Sequence, residues 1–411
     1  MSASDSNCSR REFLKAVTVV GAGAMIGDVA LGQSAATAPA TSTAPAAMGR
    51  MPTRVFGKSG VKVPILTVGG IFDILNNQVV LHQALRWGVT YWDTANSYTG
   101  GKSETGIGNF LGSNPQRRKD IFLVTKSSHR EAPGLDEHLA TSLERMKTDY
   151  VDMFFIHSLK GPTELQQHGA AWKDWAARQK DAGKIRLFGF SAHTRMAQSL
   201  AEAAKCDFID GIMMTYNFRI MNQEQMKAAI EACHQAGIGL TAMKVMAKTV
   251  KEAPAPEELA AVNQFISKGY TMEQACLKVV WQNPAIASIC TLMNNLTLLQ
   301  ADVQAATDGV KLSADDRRLL DQYARATCGG YCTACAGCQE RAGDLPISDV
   351  MRWLMYAGAY GDLARARREF AQLPPDVRER LREADYWRAQ AACPSGLPIA
   401  ELMTKACADL G

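Results

Sequence analysis

Asp93, Tyr98, Lys126 and His157 are the residues of this chain whose types combine into one reaction. A carbonyl carbon that accepts a hydride leaves an oxygen that needs a proton. A phenol with an ordinary pKa of about 10 gives that proton up only where its anion is stabilised. A neighbouring ammonium supplies the stabilisation, a carboxylate holds and charge-balances the ammonium, and an imidazole orients the carbonyl and shares in the proton transfer. The expected roles are therefore Tyr98 as general acid, or base in the oxidative direction, with Lys126 lowering its pKa, Asp93 positioning Lys126 and His157 directing the carbonyl. Any one of these residues alone reads as a polar strand end. The four in this order argue for a site.

Something must bring four residues spread over more than sixty positions together. From Thr53 to about Thr327 the sequence alternates short apolar runs with amphipathic stretches. The strands expected are Ile65–Val68, Thr90–Asp93, Ile121–Thr125, Val151–Ile156, Ile185–Phe190, Gly211–Tyr216, Gly239–Met243 and Ala287–Leu292. Such continuous apolar runs suit strands covered on both faces. Between them, residues 135–147 place Leu139, Leu143 and Met146 on one helical stripe. Eight strand-then-helix units predict an α/β fold, a (β/α)8 TIM barrel, in which the C-terminal strand ends form one face. Asp93, Tyr98, Lys126 and His157 all fall at or just after such ends. A doubly wound open sheet is the competing architecture, and the first strand ends only in Gly69-Gly70 where that fold carries a Gly-rich phosphate turn. Ahead of the first unit, residues 54–63 read as a hairpin turning at Lys58-Ser59-Gly60, which would cap one end of the barrel.

With these elements in place, the motifs resemble those of the aldo-keto reductase family. The run from Asp93 to Glu104 is similar to the family's D-T-A-x-x-Y-x-x-G-x-S-E region, Val124-Thr125-Lys126 to its lysine strand and Phe155-Ile156-His157 to its histidine strand. The resemblance spans roughly residues 53–325. It implies hydride transfer between a nicotinamide nucleotide, NADP(H) or NAD(H), and a small aldehyde, ketone or alcohol. It also implies cofactor contacts from Ser191, Tyr216, Asn217, Met243 and Lys244. The sequence departs from the family at Met213, where many members carry a carboxamide-binding glutamine, and at Met243, where a stacking aromatic is common. It departs again at Asn294-Asn295 and Ala301-Asp302, where phosphate and adenine contacts are expected. These departures leave NAD against NADP open and admit a second reading, an exported iron-sulfur electron-transfer or binding protein on a catalytically inactive barrel.

Beyond residue 327 the character changes to cysteines followed by Arg/Ala-rich helical segments. Residues 326–411 are expected to form a small, mainly helical C-terminal iron-sulfur domain. Cys332-x2-Cys335-x2-Cys338 and a remote Cys393-Pro394 contain the elements of a ferredoxin-type [4Fe-4S] site, with Cys328 a rival fourth ligand. A structural zinc site and disulfides are the alternatives. Some relatives of the family carry a ferredoxin-like extension. The internal Cys206, Cys233, Cys276 and Cys290 read as small buried hydrophobes.

The start of the chain has another purpose. Ser9-Arg10-Arg11-Glu12-Phe13-Leu14-Lys15, an apolar run from Ala16 to Leu31 and small-residue sites after it are similar to a twin-arginine export signal over residues 1–36. An Ala/Thr/Pro linker follows over 37–52, ahead of the barrel at 53–325. The expectation is export to the periplasm or beyond through the twin-arginine translocase. That route carries folded proteins with cofactors in place and would suit a cluster and a tightly held nucleotide. The apolar run is short and interrupted by Asp28, so no stable membrane span is expected. Across 411 residues, 45 basic against 41 acidic side chains give a formal charge of +4, too even for a nucleic-acid footprint. An electron-transfer partner would accompany a redox-active cluster.

Overall fold

The computed structural model describes residues 49–249 and 256–411, so the expected export signal and most of the expected linker lie outside the described residues. The hairpin forms from β1 (Thr53–Val55) and β2 (Lys62–Pro64), antiparallel with Thr53 opposite Pro64. Gly60 closes its turn at a φ of 71°, a left-handed conformation open to glycine. The turn drives Phe56, fully buried, into the barrel floor against Phe122 and Tyr91, with ring centroids 5.4 and 6.3 Å away. A Cβ on Gly211 or Gly239 would approach the Phe56 ring to 2.6 or 2.5 Å, so the missing side chains of these strand starts are the space the plug fills.

The eight expected strands all form: β3 (Leu66–Gly69), β4 (Tyr91–Asp93), β5 (Phe122–Ser127), β6 (Val151–Leu159), β7 (Ile185–Ala192), β8 (Gly211–Thr215), β9 (Gly239–Met243) and β10 (Ile286–Leu292). Each is parallel to its neighbours, and β10 closes on β3 with Ile289 opposite Leu66. An open doubly wound sheet has no such pairing. The helix expected at residues 135–147 runs over Ala132–Met146, buries Leu135, Leu139 and Met146, and ends where Lys147 turns left-handed.

Alternation along the strands sorts side chains into two layers. Tyr91, Phe122, Val124, Met153, Phe155, Met213 and Met243 pack inside the barrel with Phe56. Trp92, Leu123, Phe154, Ile156, Phe188, Phe190, Ile212 and Met214 pack outside under the helices. Three of the interior rows end at the C-terminal face in a residue able to do chemistry: Asp93 after Tyr91, Lys126 after Val124, His157 after Phe155.

The tail has a core of its own. Helices Ile347–Ala359, Leu363–Ala371, Pro375–Glu383, Trp387–Ala391 and Ile399–Leu410 enclose Val350, Trp353, Leu354, Phe370 and Met403. Nevertheless Met48–Gly411 forms one compact unit. Tyr331 at the start of the tail packs into the barrel's outer core, and its hydroxyl accepts a hydrogen bond from Asn217 at 2.8 Å.

Candidate active site

At the C-terminal face, Lys126 Nζ lies 2.5 Å from Asp93 Oδ1, donates to Thr94 O at 2.7 Å and to the Tyr98 hydroxyl at 3.3 Å. Asp93 and Lys126 are almost wholly buried, while Tyr98 and His157 are half-buried with rings 5.7 Å apart at 73°. The structure thus brings all four residues of the expected constellation together.

The loop after β4 holds Tyr98 through the rest of its motif. Thr99, Gly100 and Gly101 follow in left-handed conformations with φ of 50°, 64° and 88°. Ser103 Oγ donates to Gly70 O at 2.6 Å and shares a hydrogen bond with Thr94. Glu104, with no exposed surface, accepts from Thr125 Oγ1 at 2.7 Å and pairs with Arg145 at 3.1 Å. The Ser-Glu end of the motif therefore locks the loop rather than touching the reacting groups.

Burial dominates the electrostatics. It pushes the Asp93 carboxyl above its ordinary value despite Lys126. It disfavours the Lys126 ammonium too, but Asp93 and Tyr98 more than offset this and hold Lys126 above the ordinary lysine value. Burial raises Tyr98 to about 12, with Lys126 pulling down and Asp93 and Cys290 pushing up. The lowering expected from Lys126 is present, but desolvation outweighs it, so the phenol is a held proton. His157 falls well below the usual imidazole value through burial and the charges of Lys126, Arg130, Arg352 and Arg365. It is neutral at physiological pH.

The expected cofactor residues divide. Ser191 ends the interior row of β7, and its Oγ accepts from the Ser158 N–H at 2.9 Å, leaving its own proton free to donate. Met243 lines the interior, with Lys244 beyond it at a left-handed φ of 57°. Tyr216 continues the outward parity of Ile212 and Met214, lies in the outer core and accepts from Asn283 at 2.8 Å. Asn217 is fully buried and ties Lys244 O to Tyr331. Tyr216 braces the barrel from outside because a one-residue step along a strand reverses the face, and Asn217, beyond the strand end, has its amide engaged by Lys244 O and Tyr331.

Sequence reasoning missed several residues. Cys290 is more than a small buried hydrophobe: a bulge between Ile286 and Ser288 turns it into the barrel, with Sγ 3.9 Å from Asp93 Oδ2, a position that counting alternate residues from the strand start would miss. His193 stands beside Thr215, 3.4 Å between Nδ1 and Oγ1, and burial, Arg352 and Lys244 depress its pKa well below the ordinary value. Arg352, Tyr356 and Arg365 come from the tail, and nothing in the sequence signalled that they reach the mouth.

The tail cysteines line a cavity. Cys332, Cys335, Cys338 and Cys393 form its wall with Met351 and Leu397, whereas Cys328 is exposed and takes no part. Burial, then Cys338, Cys335 and Cys393, raise the Cys332 thiol to about 12. Among the described residues, Cys328, Cys332, Cys335, Cys338, Cys393 and Cys407 form no disulfide, which departs from the disulfide alternative. Among the described residues no three His, Cys, Asp or Glu are grouped to hold a single metal ion; the four thiols surround a space instead of meeting at a point. Ala334 and Ala336 between them adopt φ of 55° and 61°, strained for alanine. The Ala334 N–H donates to Cys332 Sγ at 3.4 Å.

Comparison with known proteins bears on the family and the fold. A model of the Aldo/keto reductase family matches residues 76–323, ending before the cysteine-rich tail. An uncharacterized oxidoreductase, YqkF, of Bacillus subtilis (strain 168) is 25% identical over 278 residues, 60% of this chain and 87% of its own. The L-glyceraldehyde 3-phosphate reductase of Escherichia coli (strain K12) is 26% identical over 225 residues, 50% of this chain and 64% of its own. An aldo-keto reductase of Bacillus halodurans in its holo form shares the fold, with a TM-score of 0.55 at 20% identity, covering 67% of this chain and 96% of that one. With a family model spanning more than half its length and a closed eight-stranded barrel beneath, the chain belongs to the aldo/keto reductase family of oxidoreductases.

Proposed function

We propose that this protein transfers a hydride between a nicotinamide nucleotide and a small carbonyl or alcohol substrate, with Tyr98 as the proton donor or acceptor. The observation that carries the reading is the buried Asp93–Lys126 pair with its ammonium 3.3 Å from the Tyr98 hydroxyl. The nicotinamide nucleotide, when bound, supplies or takes up the hydride. Ser191, with a free hydroxyl proton among its buried surroundings, Met243 on the barrel wall and Lys244 beyond it fit such a group. In reduction, Tyr98 gives its proton to the carbonyl oxygen, neutral His157 hydrogen-bonds the same oxygen, and Lys126 stabilises the phenolate left behind.

We further propose that Cys332, Cys335, Cys338 and Cys393 hold a [4Fe-4S] cluster in the tail. Four thiols around one cavity, strained alanines between them and an N–H directed at sulfur support it. The cluster would supply a one-electron centre or a covalent staple. The twin-arginine-like segment supports export, with cofactors acquired before translocation. No helix of the described residues is long and apolar enough to cross a membrane.

Anaerobic purification of the full chain, with iron and sulfide counts and identification of co-purifying nucleotide, tests both cofactors. Tyr98→Phe is expected to lower kcat by about 10²–10⁴ while nucleotide affinity is kept. Iron and sulfide in a parent protein that neither binds a nicotinamide nucleotide nor turns over any carbonyl would favour the inactive-scaffold reading.

A further inference from the structure

The helix Ile347–Ala359 lies across the barrel mouth. Asp349 pairs with Lys160, just beyond β6, at 3.3 Å. Tyr356 meets Lys244, just beyond β9, with the ammonium 4.5 Å from its ring centre. Arg352 lies between them on the same i, i+3, i+7 stripe and pairs with Asp349 at 2.7 Å. From the next helix, Arg365 stacks on Tyr356 with its guanidinium carbon 4.0 Å from the ring centre.

This face carries more cation than its partners neutralise. Lys160, Arg352, Lys244 and Arg365 meet two carboxylates there, Asp349 and Glu369. Glu369 stands 3.9 Å from Arg365 Nε, and that buried nitrogen makes no hydrogen bond. Lys244 faces the rings of Tyr356 and Tyr360 rather than a carboxylate. The Arg365 guanidinium, half-buried and with only a long ion pair to Glu369, thus keeps a buried donor that an incoming anion would satisfy. The charges also reach the chemistry: Arg352 and Arg365 both act on His157, and Arg365 on Tyr98. Opposing burial, Lys244, Arg365 and Arg352 hold the Tyr356 phenol down at about 8.

We propose that Arg352 and Arg365 of the tail bind a carboxylate of the substrate while its carbonyl lies at Tyr98 and His157, making anionic carbonyl compounds the substrate class. The inference rests on the reading of Tyr98 as proton donor to a carbonyl. A nucleotide pyrophosphate offers the same oxygen chemistry, but the charges of Arg352 and Arg365 act on His157, where a substrate reacts, and Lys244 stands at the position that the nucleotide contact implies.

The test uses the full chain purified anaerobically, with 4-carboxybenzaldehyde and its methyl ester as a matched pair. The acid is expected to exceed the ester in kcat/KM by roughly tenfold or more, as a charge-assisted hydrogen bond gives. Arg352→Gln and Arg365→Gln should each bring the ratio toward one by raising KM for the acid more than for the ester. Terephthalate, which has no carbonyl to reduce, should bind by calorimetry and weaken in both variants, with NADPH and NADH titrations unchanged. Equal use of acid and ester by the parent overturns the proposal. So does a loss of nucleotide affinity in the variants with the acid preference intact, which assigns the cations to the nucleotide. Should neither aldehyde react, the carbonyl reading fails, and terephthalate titration still decides the anion site.

Discussion

Lys126 has two duties that ordinary mutagenesis would confuse. Its ammonium stabilises the Tyr98 phenolate, and it also neutralises Asp93, a carboxylate with almost no exposed surface. Lys126→Met removes both, and stranding a buried charge costs about 3–5 kcal/mol. Adding Asp93→Asn removes the stranded charge. The double variant is therefore expected to recover most of the stability lost in denaturant unfolding and none of the lost kcat/KM. Recovery of both would mean that the pair is a fold element alone. At this scale the sequence was legible wherever motif and strand parity agreed. Asp93, Lys126 and His157 each end an inward row, so type and position told the same story. Cys290 breaks simple parity, because a bulge between Ile286 and Ser288 turns it inward, and Tyr216 was carried over from the family motif although its parity points outward.

Among the elements, the barrel was the most legible part, because parallel strands buried on both faces are written as uninterrupted apolar runs. The eight expected strands match the observed ones to within a few residues at their ends. What the runs do not reveal is how polar groups packed outside the barrel are satisfied. Asp302, on the helix Leu296–Thr307 that follows β10, accepts from Thr291 Oγ1 at 2.7 Å, but burial raises its pKa to about 7. The unfolded chain gives up this proton at the ordinary value of 3.8. As pH rises from there to about 7, the folded state keeps a proton that the unfolded state has lost, so stability falls across that window and then levels. Asp302→Asn keeps an acceptor for Thr291 and has no proton to lose. It should melt above the parent at pH 8, with the gap closing as pH falls toward 4. Thermal melts across that range check it; a gap that persists at the acid end would place the effect in packing.

Across the whole molecule, one helix joins the two sites. Ile347, Ser348 and Met351 of Ile347–Ala359 line the cysteine cavity, while Asp349, Arg352 and Tyr356 of the same helix face the barrel mouth. The cysteine spacing marked the first face. The second depends on how a tail of charged helices docks on a barrel many residues earlier, which no local pattern encodes. If a cluster closes the cavity, its ligands fix the helix that carries the mouth cations, and losing one ligand should loosen both. Cys393→Ser is expected to lose iron and sulfide, speed protease cleavage within residues 326–411 and flatten the preference for 4-carboxybenzaldehyde over its ester. Cys328→Ser, altered at an exposed thiol outside the cavity, should match the parent in all three. A Cys393→Ser protein that drops its iron yet keeps both its protease resistance and its acid preference would show that tail packing around Val350, Trp353 and Phe370 holds the helix over the mouth without help from the cluster.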